Sequence, residues 1–321
     1  MAAVNPDIEV LAVARLSPLL APQLAAAYTV HDRLHETDAA AFAAVAPRIR
    51  GIAASGESKV SAQLIAQLPR LEIISVMGVG YDGIDVAAAK ARSVQVTHTP
   101  NVLNDDVADL AIGLMLCAAR QLPAADRYVR AGQWAAAGPM PLARKMSGAR
   151  LGLVGMGRIG QAIARRASAF GMNIAYTARS ARAGLPYRYL PSAKALAEES
   201  DYLVVITPGG AGTRKLIDAE VLSALGRKGI LVNVARGSVV DEAALIDALE
   251  RGVIAGAGLD VFENEPHVPA RLLALPQVVL VPHIGSATTQ TRQAMADLAA
   301  ANLAAHFAGR PLLTPVPEMQ G

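Results

Sequence analysis

The sequence predicts an α/β protein made of two doubly wound parallel-sheet domains. Short β-branched or apolar runs alternate with alanine-rich helical stretches almost throughout, which is the signature of parallel α/β architecture. The rhythm breaks once, near the middle of the chain, and then restarts. At 321 residues the chain also exceeds what one ordinary hydrophobic core organises, so two domains are expected.

The first apolar run is residues 8–13, followed by a helical stretch near residues 19–27. Further strand-like runs fall at residues 52–54, 73–76 and 94–97, with helical stretches between them. Residues 104–120 then read as one long helix, and a second runs to about Arg130. Next comes a segment with Gly132, Gly138, Pro139 and Pro141 that reads as a loop and carries the single tryptophan, Trp134. The alternation resumes at residues 151–154 and repeats at 202–206, 230–234, 254–259 and 278–281. An alanine-rich helix over about residues 287–307 follows the last strand. It is positioned to return to the first α/β unit and make that unit discontinuous.

Composition excludes several classes. With 53% hydrophobic and 18% charged residues the chain is globular rather than disordered. The positive mean hydropathy comes largely from alanine. The most apolar helix-length stretch, residues 107–119, is too short to span a bilayer and contains Asp109. No basic region followed by an apolar run opens the chain, so no signal peptide is expected. The single cysteine, Cys117, rules out an intramolecular disulfide and fits a reducing cytoplasm. It sits in an apolar helical run, as a small hydrophobe rather than a nucleophile. Net charge is +3, the basic residues are scattered, and aromatics make up only 4%, so no nucleic-acid surface is expected.

The strand at 151–154 leads into Gly155-Met156-Gly157-Arg158-Ile159-Gly160, and a helix follows from about Gln161. A bare G-x-G-x-x-G is weak evidence, but a strand before it and a helix after it are the context a dinucleotide site requires. Gly155 permits the tight turn, Gly157 lets backbone approach the pyrophosphate, and Gly160 lets helix and strand pack closely, as in a Rossmann fold. The helix N-terminus then faces the phosphates. The second strand ends Tyr176-Thr177-Ala178-Arg179-Ser180. An NAD site usually carries an acid there for the ribose hydroxyls. Here no acid is near, and Arg179, Ser180 and Arg182 suit a 2′-phosphate through charge-assisted hydrogen bonds. NADPH is therefore the expected cofactor, with NADH use also possible.

Three further segments lie at the ends of successive strands: Asn233-Val234-Ala235-Arg236-Gly237-Ser238, Asp260-Val261-Phe262-Glu263-Asn264-Glu265-Pro266 and Pro282-His283-Ile284-Gly285-Ser286. Reduction of a 2-oxo acid needs a cation for the carboxylate and carbonyl, and Arg236 offers a planar fork. It needs an acid for the developing alkoxide, and His283 can serve near neutral pH. A neighbouring carboxylate such as Glu265 would raise that histidine's pKa. Taken singly, each residue has an ordinary explanation as a capping charge, a turn carboxylate or a loop histidine. In this order after this glycine motif they are specific.

Together these segments resemble the D-isomer-specific 2-hydroxyacid dehydrogenase family, and more closely its glyoxylate/hydroxypyruvate reductase branch. The resemblance extends over nearly the whole chain, including Gly78-Val79-Gly80-Tyr81-Asp82-Gly83-Ile84-Asp85 and the stretch from Asn101-Val102-Leu103 through Val107-Ala108-Asp109. It implies Rossmann-like or flavodoxin-like domains with the active site between them: a substrate domain of residues 1–99 and 286–321, and a dinucleotide domain of residues 100–285. It implies Arg236, Glu265 and His283 as catalytic residues. The backbone amides of Val79 and Gly80, with Arg236 and His283, would bind the substrate. Asp260 would hold the nicotinamide carboxamide, and Thr207 and Pro208 would lie by the adenosine. Arg158, Ile159, Thr213, Val234, Ala235, Gly285 and Ser286 complete the implied cofactor contacts. It also implies a homodimer through residues 102–146, with Trp134 reaching the partner's substrate cleft. Two positions depart from the pattern: Asn104 stands where the family usually has threonine, and the basic 177–182 segment replaces an acidic one.

The expected function is reduction of glyoxylate, hydroxypyruvate or 2-ketogluconate to D-2-hydroxy acids, with no membrane or nucleic-acid partner. A formate-dehydrogenase-like site would place a glutamine where Glu265 stands. A dinucleotide-sensing binding protein resembling the C-terminal-binding-protein corepressors shares the fold, and only turnover separates it from an enzyme. No metal site is expected. His31 and His35 are four residues apart but lack a third ligand, and His98, His267 and His306 have no evident partner in the sequence.

Overall fold

The computed structural model describes residues 7–320, and the chain divides into two compact units, residues 1–103 with 288–321 and residues 104–287. These divisions fall a few residues later than the expected ones, whose outermost positions, 1–6 and 321, lie outside the described residues.

The first unit runs β1 (Glu9–Ala12), α1 (Ala21–Ala25), β2 (Thr29–Asp32), α2 (Leu34–Thr37), α3 (Ala39–Val45), β3 (Ile49–Ser55), α4 (Ala62–Gln67), β4 (Ile73–Met77), α5 (Val86–Ala91) and β5 (Gln95–Thr97). Its five strands are all parallel, in the order β2-β1-β3-β4-β5, which is the flavodoxin-like order. β1, β3 and β4 read as nearly unbroken apolar runs because helices cover both faces of the sheet. β2 has no signal in the sequence: it is one of the two edge strands, and its Thr-Val-His-Asp sequence is only partly buried, so it carries no continuous apolar run.

The second unit runs α6 (Asn104–Arg120), α7 (Leu122–Arg130), α8 (Gln133–Ala137), β6 (Arg150–Val154), α9 (Arg158–Ser168), β7 (Asn173–Thr177), β8 (Arg188–Tyr189), α10 (Ala193–Glu198), β9 (Tyr202–Val205), α11 (Ala219–Leu225), β10 (Ile230–Asn233), α12 (Glu242–Glu250), β11 (Gly256–Leu259), α13 (Ala270–Leu273) and β12 (Val278–Leu280). Its strands are also all parallel, ordered β12-β11-β10-β9-β6-β7-β8. Strand order reverses between β6 and β9, and ligands of open α/β sheets bind at such a switch point. Where the sequence suggested only a loop around Trp134, α8 forms a short helix entered through Gly132 at φ +69 and left through Gly138 at φ +78. α9 starts at Arg158, three residues earlier than its apolar periodicity indicates, because the glycine motif itself supplies its first turn.

α6 lies along β10 and β11. It buries Val107, Ala108, Ala111, Ile112, Leu114 and Met115, the inward stripe of a helix packed on a sheet. At Gly258 of β11 an added Cβ would sit 3.0 Å from the Leu114 Cβ, so the missing side chain sets how closely α6 approaches.

The last helix, α14 (Thr289–Phe307), belongs to the first unit and packs on β4. The Ser75 hydroxyl donates to the Ala299 carbonyl at 2.9 Å, and Met295, Ala296, Ala299 and Leu303 are buried. Asn302 is fully buried and ties down the chain that follows. Its Oδ1 accepts from the amides of Leu313 and Thr314, both at 3.1 Å, while its Nδ2 donates to the Leu298 carbonyl and the Thr314 hydroxyl. Asn302→Ala strands these groups and should destabilise the protein by about 1–3 kcal/mol. The midpoint of urea unfolding should fall, and an unchanged midpoint would show that water replaces the asparagine without loss.

Candidate active site

β6 ends at Val154, and the chain turns through Gly155 at φ +114, where an added Cβ would stand 2.6 Å from the Ile206 carbonyl oxygen. Only glycine tolerates both conditions. A Cβ at Gly160 would meet the Gly155 carbonyl oxygen at 2.4 Å, so this glycine lets α9 close onto its own entry turn. Gly157 is different. Nothing lies within 4 Å of its added Cβ, and it forms the N-cap of α9 without a capping side chain. The first-turn amides of α9, including those of Arg158 and Ile159, thus present positive partial charge beside open space, the arrangement that binds a pyrophosphate. The residues present fit a dinucleotide.

β7 ends at the buried Thr177, and Arg179, Ser180 and Arg182 follow it exposed. Neither guanidinium makes a hydrogen bond or ion pair among the described residues. Several other arginines are neutralised by carboxylates: Arg150 pairs with Asp201, Arg166 with Asp105 and Asp109, and Arg188 with Glu199. After β9, Thr207 and Pro208 lead into a turn closed by the Thr213 hydroxyl, which donates to the Pro208 carbonyl at 2.7 Å.

The next three strands deliver the remaining side chains. Asn233, at the end of β10, is buried. Its Oδ1 accepts from the Ala235 amide and its Nδ2 donates to the Arg236 carbonyl, both at 3.0 Å. That clasp fixes the turn through Val234 and Ala235, both buried, and Arg236 Nη1 donates to the Ala235 carbonyl at 2.8 Å. Gly237 has no room for a side chain, since a Cβ would stand 1.9 Å from the Phe262 carbonyl. In the sequence Asn233 and Gly237 stand out only as neighbours of Arg236. Their roles depend on contacts that no local pattern reports.

Beyond β11, Glu265 is held from two sides. Its Oε1 accepts from the Phe262 amide at 2.9 Å, and its Oε2 meets His283 Nδ1 at 2.7 Å. Burial pushes the Glu265 carboxyl up. The hydrogen bonds from His283 and the Phe262 amide, with the charges of His283 and Arg236, outweigh burial and hold it below the usual carboxylate range.

Asp260 organises the loop after β12. Its carbonyl accepts from the His283 amide at 2.9 Å, and its carboxylate accepts from the amides of Ile284 at 2.6 Å and Gly285 at 2.9 Å. His283 sits at φ +51, a left-handed conformation uncommon for a residue with a side chain, and these three bonds hold it there. Burial drives the Asp260 carboxyl above its ordinary value despite its amide donors. Asp260 is therefore a loop anchor, a role the sequence did not announce. Gly285 packs against it, where a Cβ would lie 2.9 Å from Oδ2, and Ser286 continues the same turn.

In the first unit, Val79 and Gly80 follow β4 and are half-buried. The Gly78 carbonyl accepts from the Thr99 amide at 2.8 Å, and the Val79 carbonyl meets His98 Nδ1 at 2.9 Å. A Cβ at Gly78 would stand 2.7 Å from the Gly56 Cα, so two backbones touch there. His98 thus has a partner that the sequence did not reveal. So does His306, which meets Glu72 at 3.1 Å, and His31 pairs with Glu9 at 2.7 Å.

Residues 112–285 match the profile of the D-isomer specific 2-hydroxyacid dehydrogenase NAD binding domain. The chain is 51% identical over 268 residues to a glyoxylate/hydroxypyruvate reductase of Arabidopsis thaliana, covering 84% of this chain and 85% of the relative. It is 45% identical to the 2-ketogluconate reductase of Gluconobacter oxydans, covering 97% of this chain and 99% of the relative. It superposes with a TM-score of 0.92 on the NADPH-dependent glyoxylate/hydroxypyruvate reductase of Sinorhizobium meliloti, solved with NADP and malonate. That match has 48% identity and covers 98% of both chains. With this glycine turn, these strand-end segments and these relatives, the chain belongs to the D-isomer-specific 2-hydroxyacid dehydrogenase family.

Proposed function

We propose that this protein uses NADPH, and less efficiently NADH, to reduce small 2-oxo acids such as glyoxylate and hydroxypyruvate to D-2-hydroxy acids. The observation that carries the reading is the 2.7 Å Glu265–His283 pair, set with Arg236 at the ends of neighbouring strands beside an uncapped glycine turn. The cofactor, when bound, supplies the hydride. The Gly157 turn and the start of α9 hold its pyrophosphate, Thr207, Pro208 and Thr213 flank its adenosine, and Val234, Ala235, Asp260, Gly285 and Ser286 line its nicotinamide end. Arg179, Ser180 and Arg182 take the 2′-phosphate.

Arg236 receives the substrate carboxylate and polarises the carbonyl, and in the first unit the Val79 and Gly80 amides are assigned as substrate-binding groups. Glu265 orients the imidazole through Nδ1, and His283 Nε2 delivers the proton to the oxygen that becomes the alcohol. The alternative, a non-catalytic dinucleotide sensor, would bind the cofactor without turnover. NADPH oxidation in the presence of glyoxylate, hydroxypyruvate or 2-ketogluconate decides between them. Arg236→Ala should lower kcat together with kcat/KM, because the arginine's contacts strengthen as charge develops on the carbonyl oxygen. Arg236→Lys should recover only part of the loss, since the ammonium lacks the planar fork. Full activity in Arg236→Ala would remove this residue from the mechanism.

The pH dependence has a definite sign. Reduction consumes the proton on His283, so the rate falls as pH rises through that group's titration. Glu265, whose pKa is held low, is ionised at neutral pH and stabilises the imidazolium beside it. Glu265→Gln keeps the shape and removes the charge, so the alkaline limb of kcat/KM for reduction should move to lower pH. Oxidation of the hydroxy acid needs the neutral imidazole and should suffer less at high pH. A limb that stays in place or moves upward would show that the carboxylate does not tune the histidine.

We also propose that the protein is a cytoplasmic homodimer. Leu122, Val129, Trp134 and Leu142 are exposed apolar side chains concentrated on and just after α7 and α8, and Trp134 is 63% exposed. A second copy is the occupant proposed for this exposed apolar segment. Among the described residues no single helix is long and apolar enough to cross a membrane, and a lone cysteine suits a reducing compartment. Sedimentation should give twice the 33.3 kDa chain mass at micromolar concentration, and a monomer there would overturn the assembly.

A further inference from the structure

We propose that Tyr176, assisted by Tyr189, is a positioning residue for cofactor selectivity: its buried hydroxyl fixes the backbone of the 178–182 loop, so that Arg179 and Arg182 are held ready for a 2′-phosphate. The inference rests on the NADPH reading above and adds to it a residue that does not touch the phosphate.

Tyr176 is the penultimate residue of β7, is 1% exposed, and is among the largest fully buried side chains of the protein. Its hydroxyl accepts a hydrogen bond from the Arg182 amide at 2.7 Å. Tyr189 is its register partner on β8, and the two rings meet edge to face at 5.6 Å. The Tyr189 hydroxyl makes a longer contact, 3.4 Å, with the Ala178 carbonyl. One ring pair therefore grips both ends of an otherwise exposed five-residue loop. The loop contains two arginines with no acidic partner among the described residues, while Arg188, beside the clamp, is neutralised by Glu199. The positive charge is thus concentrated on the loop that the clamp holds.

The physical consequence concerns entropy. A loose loop must be ordered when it closes on a phosphate, and that ordering subtracts from affinity. A loop already tied at both ends loses little further freedom. Tyr176→Phe removes one oxygen and leaves the ring packing. The Arg182 amide lies on an exposed loop and can take a water instead, so the fold should tolerate the change.

The test compares wild type, Tyr176→Phe, Tyr189→Phe and Arg179→Ala. It measures kcat and KM with NADPH and with NADH, and binding of adenosine 2′,5′-bisphosphate against 5′-AMP by calorimetry. Tyr176→Phe should lower the NADPH:NADH ratio of kcat/KM roughly three- to tenfold, through the NADPH KM and with kcat held. It should weaken adenosine 2′,5′-bisphosphate by a similar factor relative to 5′-AMP. Tyr189→Phe should act in the same direction and more weakly, and it decides the matter if Tyr176→Phe does not fold. Losses of equal size with both cofactors, or an unchanged ratio, would reduce the two tyrosines to core packing and overturn the inference. If Arg179→Ala collapses the ratio while both tyrosine variants keep it, only the positioning role fails. If wild type shows no NADPH preference, the cofactor reading fails and the positioning role with it.

Discussion

A parallel sheet forces each strand to begin again at the same edge, so every carboxyl end opens on one side. The loops there cannot pair with the sheet, and their side chains are available for other work. In the second unit that edge gathers the Gly155 turn from β6, the Arg179 loop from β7, Thr207 from β9, Arg236 from β10, Asp260 and Glu265 from β11, and His283 from β12. Segments as distant in sequence as Gly155 and His283 become neighbours along one edge because all seven strands run the same way. The condition for that arrangement is helix cover on both faces, and glycines set how closely the cover fits. A Cβ at Gly152 would collide with Ser200 Oγ at 2.3 Å, and one at Gly160 with the entry turn of α9.

The edge supplies proximity but not aim. Aim comes from buried polar side chains that bond backbone rather than substrate. Asn233 clasps the 235–236 turn, and Asp260 holds the 283–285 turn with a carbonyl and both carboxylate oxygens. A left-handed histidine costs on the order of 1–3 kcal/mol, which hydrogen bonds to a buried carboxylate can offset. The strained residue is also the one assigned to carry the proton, so conformational rigidity and acid–base chemistry meet at His283. The β7 loop follows the same rule, with Tyr176 bonding backbone while the arginines face outward.

Much of this was legible without coordinates. The alternation of apolar runs and helices gave the α/β class, the single break in that rhythm together with the chain length gave two sheets, and the residues 104–120 helix was readable to its ends. The strands that escaped were edge strands: β2 is half exposed, and β8 is two residues long, too short for any periodicity. α8 was missed because a five-residue helix between glycines looks like a loop. Candidate chemistry was legible as residue types at strand ends, since Arg236, Glu265 and His283 each follow a recognisable apolar run.

Pairing was not legible. Glu265 and His283 are separated in sequence by α13 and β12, and their 2.7 Å contact exists only because β11 and β12 lie side by side. His98 and His306 have no evident partner in the sequence and His31 only the spacing to His35, yet each meets an oxygen delivered from elsewhere in the first unit: the Val79 carbonyl, Glu72 and Glu9. The sequence by itself determined what depends on local order: the strand and helix alternation, the glycines that a turn demands, and the absence of an acid where NAD would need one. Tertiary structure alone decided which polar atoms meet. Hydrogen bonds between segments depend on sheet order and register, and those are set by packing helices over both faces rather than by any local run of residues.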